Sequence, residues 1–166
     1  MKTLILCSAN VCRSPAAEAL WRAAAGERGL TGTVASAGLQ ARAGQAPSST
    51  MVGLLQARGV VVPEAGAVSF NRFMARQYGL ILVMEPVQQQ QVLALTPELT
   101  GRVHLLGRWG QGTIDDPMGH QPMAYQHCLD QICLAVEAWM ERLAPVRLPH
   151  CSARPEVTRT VVATNA

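Results

Sequence analysis

Thr3-Leu4-Ile5-Leu6-Cys7 followed by Ser8-Ala9-Asn10-Val11-Cys12-Arg13-Ser14-Pro15 is the stretch on which the fold turns. Five residues without a charge, four of them apolar, suit a short strand buried on both faces. Ser14-Pro15 then predicts a helix start, with Ser14 as N-cap and proline at the first helical position, where its missing N–H costs nothing. Leu20, Trp21 and Ala24 share one face of that helix, and Gly29 is placed to end it. Strand, tight turn and helix in this order are the opening of a βαβ unit.

The rest of the chain repeats the alternation. Val34 to Ser36 reads as a second strand ending at Ala37-Gly38. Ser48 to Thr50 caps a helix with the apolar face Met51, Leu54 and Leu55, closed by Gly59. Asn71 opens a short helix to about Tyr78. Leu80 to Met84 is a third strand, helical turns fill Val87 to Leu99, and Val103 to Leu106 is a fourth strand. Met123 to Leu143 carries Leu129, Ile132, Cys133, Val136, Trp139 and Met140 at helical spacing. Apolar strands alternating with helices predict an α/β fold, a four-stranded parallel sheet covered on both faces, with its ligand site at the carboxyl ends of the strands. After Ala144 the periodicity stops and Pro145, Pro149 and Pro155 punctuate a polar stretch. One domain over 1–144 and a mobile tail over 145–166 are expected.

Composition narrows the function classes. The 166 residues suffice for one core, and 49% apolar with 15% charged residues describes a compact soluble protein. No apolar run approaches the roughly 20 residues of a membrane helix. The Leu4-Ile5-Leu6 segment is too short for an export signal, so the cytoplasm is the expected location. There Cys7, Cys12, Cys128, Cys133 and Cys151 are expected as thiols, and without a Cys-x-x-Cys pair no metal or other cofactor is expected. The net charge of +3 is concentrated in the tail, where Arg147, Arg154 and Arg159 face only Glu156, which argues against a nucleic-acid surface. No oligomeric state is legible.

The chemistry lies in the first turn. Backbone N–H groups of a strand-to-helix loop, with the positive end of the helix, form an oxyanion cradle. Cys7 at its base would face those dipoles and Arg13, conditions that lower a thiol pKa. Six residues of separation let the Arg13 fork reach two oxygens of a group held over the sulfur. Asn10 tolerates the left-handed backbone such a loop needs, and the Ser14 hydroxyl can point at the sulfur. Cys12 reads equally as a small buried filler or as a redox partner that captures an oxidised Cys7. A cysteine six before an arginine is common by chance; an Asp-Pro far downstream changes the balance. Asp115-Asp116-Pro117 follows the last strand in a glycine-bearing loop, where Asp116 can donate the proton that a leaving oxygen requires.

Cys-Ser-Ala-Asn-Val-Cys-Arg-Ser-Pro with the later Asp-Pro resembles the low-molecular-weight protein-tyrosine phosphatases. Ser36 to Leu39, Tyr78 to Glu85 and Pro97 to Trp109 are similar to the bacterial branch that accompanies tyrosine kinases of capsule and exopolysaccharide export. The resemblance covers about residues 2 to 143. It implies a flavodoxin-like sheet, a phosphocysteine intermediate and no metal. It also implies Cys7 as nucleophile, a phosphate-binding loop of Ser8, Ala9, Asn10, Val11, Cys12, Arg13 and Ser14, and Asp116 as general acid. Leu39 and Met118 would wall the pocket. The implied partner is a phosphotyrosine protein, an autophosphorylating bacterial tyrosine kinase. Departures from the family pattern are Ser8, Ala9, Ala65-Gly66-Ala67-Val68 in place of His-x-Ala-Arg, Gly79, and Met118 in place of an aromatic residue. Two rivals share the fold or the loop. A thioredoxin-coupled arsenate reductase would need a downstream cysteine pair, and residues 77 to 95 contain no cysteine. A phosphoprotein-binding module without turnover would have little reason to keep Cys7, Arg13 and Asp116 together.

Overall fold

The computed structural model describes residues 1–62 and 65–143. The tail expected over 145–166 lies outside the described residues, as does Cys151. Four strands, β1 (Lys2–Cys7), β2 (Thr33–Gly38), β3 (Leu80–Val83) and β4 (Val103–Leu105), form one parallel sheet in the order β2-β1-β3-β4. Helices α1 (Arg13–Glu27), α2 (Ser49–Ala57), α3 (Arg72–Ala75), α4 (Pro86–Leu95) and α5 (Pro122–Leu143) connect and follow them, with a 3-10 turn at Pro97–Leu99.

The period-2 geometry of the strands divides their side chains between two cores. Ile5 and Cys7 of β1, with Leu80, Leu82 and Met84 at β3, pack against Trp21 of α1, Leu55 of α2 and Leu129, Ile132 and Val136 of α5. Leu4, Leu6, Ile81 and Val83 face the other way, onto Phe70, Ala75 of α3, Val92 of α4 and Leu99. Both faces are covered, which is why these strands read as continuous apolar runs.

Helix caps follow the sequence reading in two places and depart from it in a third. Ser48 Oγ accepts from Met51 N at the start of α2, and Asn71 Oδ1 accepts from Met74 N at the start of α3. Helix α3 stops at Ala75, short of the expected Tyr78. Ser14 is not the N-cap of α1. That position falls to Cys12, with no side-chain cap, and Ser14 sits inside the first turn. The hydroxyl expected to close the helix is drawn to Cys7 and Asn10 instead, and the first-turn N–H groups keep no side-chain acceptor.

A candidate active site at the carboxyl end of the sheet

The loop from Ser8 to Cys12 leaves β1 at its carboxyl end and passes directly into α1. Asn10 fixes its curl. It has φ +56°, in the left-handed region that short polar side chains tolerate best after glycine. Its side chain is fully used: Nδ2 donates to Ser14 Oγ and Ser36 Oγ, both at 2.9 Å, and Oδ1 accepts from Val68 N at 2.8 Å. Ser36 Oγ in turn donates to Glu18 at 2.6 Å. The loop carbonyls of Cys7, Ser8 and Val11 accept from Leu39, Gln40 and Ser48 N, which ties them to the surrounding chain.

Cys7 is buried at the base of this curl. Its Sγ lies 3.0 Å from Ser14 Oγ and 3.3 Å from Asn10 N. A hydroxyl and a backbone N–H are thus positioned to donate to an anionic sulfur. Gly38, paired with Cys7 in the β1–β2 register, makes room for the loop, since a Cβ there would fall 2.8 Å from Ala9 C and Asn10 N. That space is taken by the backbone of Ala9 and Asn10. In the segment 65–68, Val68 N donates to Asn10 Oδ1, and Gly66 lies so close to Gly44 that a Cβ would meet its backbone at 2.7 Å.

Arg13 is buried to 1% exposure, and its guanidinium joins three segments. Nη1 donates to Glu85 Oε1 at 2.5 Å and to Ile114 O at 2.9 Å, while Nη2 donates to Asp116 Oδ2 at 2.6 Å. Burial opposes its charge, but the Glu85 hydrogen bond and the charges of Asp116, Cys7 and Glu85 outweigh that, holding its pKa above the usual arginine value. The expected bidentate fork is therefore engaged by protein carboxylates here. Asp116 is held by Met118 N at Oδ1 as well, whereas Asp115 is exposed and has no hydrogen-bond partner among the described residues.

The other expected residues spread around this centre. Leu39 is half-buried next to Gly38 and donates its N–H to Cys7 O. Met118 is largely exposed, and Tyr125 of α5 reaches its Sδ at 3.6 Å, which brings an aromatic ring to a segment whose own position 118 lacks one. Ser8 Oγ accepts from Gln88 Nε2 at 3.2 Å. Cys12 is buried, and burial above all pushes its thiol up, reinforced by Cys128, Asp116 and Cys7. Burial likewise pushes the Cys128 thiol up to about 12. Gly79 makes only a backbone bond to Lys2 O. Among the described residues no cluster of three His, Cys, Asp or Glu side chains is placed to hold a metal ion.

Sequence reasoning did not identify Glu85, Ser36, Glu18, Gln88 or Tyr125. Glu85 had a legible signal, a carboxylate directly after the most apolar strand and at the sheet edge where ligands bind. Ser36 had a weaker one, a hydroxyl two residues before the strand-ending Gly38.

The chain is similar to known proteins over most of its length. The family model described as "Low molecular weight phosphotyrosine protein phosphatase" matches residues 2–147. The chain is 36% identical over 141 residues to the probable low molecular weight protein-tyrosine-phosphatase EpsP of Ralstonia solanacearum, covering 84% of this chain and 94% of that protein. The crystal structure of the tyrosine phosphatase AmsI of Erwinia amylovora superimposes with a TM-score of 0.80 at 32% identity, over 86% of this chain and 93% of that one. Vibrio vulnificus Wzb in complex with benzylphosphonate gives 0.79 at 29% identity, over 85% and 97%.

Proposed function

Since the chain belongs to the low molecular weight phosphotyrosine protein phosphatase family, we propose that it hydrolyses phosphotyrosine in proteins through a phosphocysteine intermediate. The carrying observation is the convergence of Cys7, Arg13 and Asp116 from two loops 103 residues apart in sequence, joined by the 2.6 Å pair between Arg13 Nη2 and Asp116 Oδ2.

In this reading the Cys7 thiolate attacks phosphorus in line with the phenolic oxygen, with Ser14 Oγ and Asn10 N holding the sulfur. The phosphoryl oxygens take up the N–H groups of residues 8 to 14 and the Arg13 guanidinium. Competition by those oxygens for Nη2 releases Asp116, while Glu85 and Ile114 O keep Nη1 in place. Asp116, carrying a proton, donates it to the departing phenolate as the P–O bond breaks. Water then attacks the phosphocysteine, with Asp116 accepting its proton, and the Cys7 thiolate and inorganic phosphate are regenerated. A buried sulfur beneath a cradle suits a long phenolic ester better than a short phosphoserine. The proposed partner is an autophosphorylated tyrosine kinase of exopolysaccharide or capsule export, and the proposed location is the cytoplasm. The names of the similar proteins support the substrate class, and among the described residues no helix is long and apolar enough to cross a membrane.

Turnover of p-nitrophenyl phosphate and of matched phosphotyrosine and phosphoserine peptides tests the proposal, with Cys7→Ser as control. Phosphotyrosine turnover that persists with chelator and vanishes in Cys7→Ser is expected. A phosphoserine preference, chelator sensitivity, or a phosphoenzyme mapped to Cys12 would overturn it.

A further inference from the structure

A cavity of about 590 Å³ opens at the opposite pole of the sheet, between the second half of α1, the start of β2 and the end of α5. This volume lies within the range of small-molecule sites, roughly 300 to 1,000 Å³. Trp21, Leu30, Val34, Met140 and Leu143 give it apolar walls. Among the described residues that line it, Arg22 carries the one charged side chain and there is no carboxylate.

Arg22 also connects this cavity to the catalytic loop. It is half-exposed, and its Nη2 donates to Glu18 Oε1 at 2.5 Å. The other oxygen of Glu18 accepts from Ser36 Oγ at 2.6 Å, Ser36 Oγ accepts from Asn10 Nδ2 at 2.9 Å, and Asn10 N lies 3.3 Å from Cys7 Sγ. Four hydrogen bonds therefore run from the cavity wall to the sulfur. An anion beside Arg22 would compete with Glu18 for the guanidinium, and Glu18, whose side chain is 17% exposed, would then be held by Ser36 alone.

We propose that this cavity is a regulatory site for a small aromatic anion, an aryl carboxylate or sulfonate, whose binding lowers turnover by withdrawing Arg22 from the Glu18–Ser36–Asn10 chain. The apolar walls take the ring and Arg22 takes the acid group by a charge-assisted hydrogen bond. The binding half stands on the cavity alone, and the effect on turnover rests on the phosphatase reading.

The probe is 8-anilinonaphthalene-1-sulfonate, titrated by fluorescence into the full chain with saturating inorganic phosphate, which keeps the probe out of the Cys7 loop. One saturable site is expected, lost in Ala25→Phe, which fills the cavity, and weakened in Arg22→Gln. Saturating probe should lower kcat for p-nitrophenyl phosphate about fivefold, the low end of ordinary coupling between sites, with KM unchanged. Glu18→Gln should bind the probe like the parent chain and lose the kcat response. Absence of saturable binding, binding indifferent to Ala25→Phe and Arg22→Gln, or an unchanged kcat in the parent chain would overturn the proposal. Much tighter binding to a chain ending at Ala144 would also overturn it, by making the following segment the occupant. Probe binding that follows the variants in a chain without phosphatase turnover would refute the proposed function and leave the cavity assignment standing.

Discussion

Arg13 has two carboxylate partners, and the structure assigns them different consequences when each is removed. Its side chain is 2% exposed and its guanidinium cannot shed its charge, so each lost acceptor leaves a buried N–H facing less compensation. Glu85 is 29% exposed and holds Nη1, so Glu85→Ala takes away a charge-assisted bond in a largely buried setting. Such bonds contribute about 1.5–3 kcal/mol. Breaking a fully buried pair costs about 3–5 kcal/mol, and the remaining Ile114 O and Asp116 place this one at the lower figure. A loss of about 2 kcal/mol is expected, about 4–8 °C in Tm for a domain of this size. Asp116 is 43% exposed, and solvent screens its pairing, so Asp116→Ala should cost about 0–1 kcal/mol. Urea denaturation and differential scanning calorimetry measure both. Stability should therefore fall in Glu85→Ala and barely change in Asp116→Ala, while turnover should fall about 10²- to 10⁴-fold in Asp116→Ala. Equal destabilisation by the two variants, or a Glu85→Ala protein as stable as its parent, would refute the assignment of Arg13's buried charge to Glu85.

Three further expectations concern neighbouring groups. Asp115→Ala should keep most of its activity towards p-nitrophenyl phosphate, because both carboxylates are exposed but only Asp116 reaches Arg13; a loss matching Asp116→Ala would mean that the acid is misassigned. Peroxide should inactivate the protein reversibly, with thiol reductant restoring activity, if Cys12 captures an oxidised Cys7 as a disulfide. Cys12→Ser should then be inactivated irreversibly at the same dose, and equal recovery of both proteins would leave Cys12 as packing. A chain ending at Ala144 should retain its melting temperature and turnover, since 145–166 shows no apolar periodicity; a drop in either would place those residues against the domain.

Where patterns were local, the sequence was readable. Strands β1 and β3 announce themselves as apolar runs because both of their faces are buried, and Asn10 is legible as a left-handed residue because few side chains tolerate φ +56°. Ser14 was misread as an N-cap for an equally local reason. Ser-Pro before a helix looks like a cap until the turn preceding it supplies a sulfur and an amide that compete for the hydroxyl. Glu85 and Ser36 carried a positional signal and Glu18 none, but the partners of all three were not readable from pattern, because they are contributed by segments 18 to 72 residues away. Even the absent His-x-Ala-Arg changes meaning in three dimensions. The contact that this segment makes with the loop is the N–H of Val68 to Asn10, a group that every residue except proline carries. Substitutions at 65 to 68 that spare this backbone bond and the close approach of Gly66 to Gly44 can leave the loop intact, so departure from a family's side-chain pattern there is weak evidence for a lost site. Gly38 is the contrasting case. A side chain there would have to occupy the space of Ala9 and Asn10, so the Ser8–Cys12 loop depends on that missing Cβ as directly as on any of its own residues.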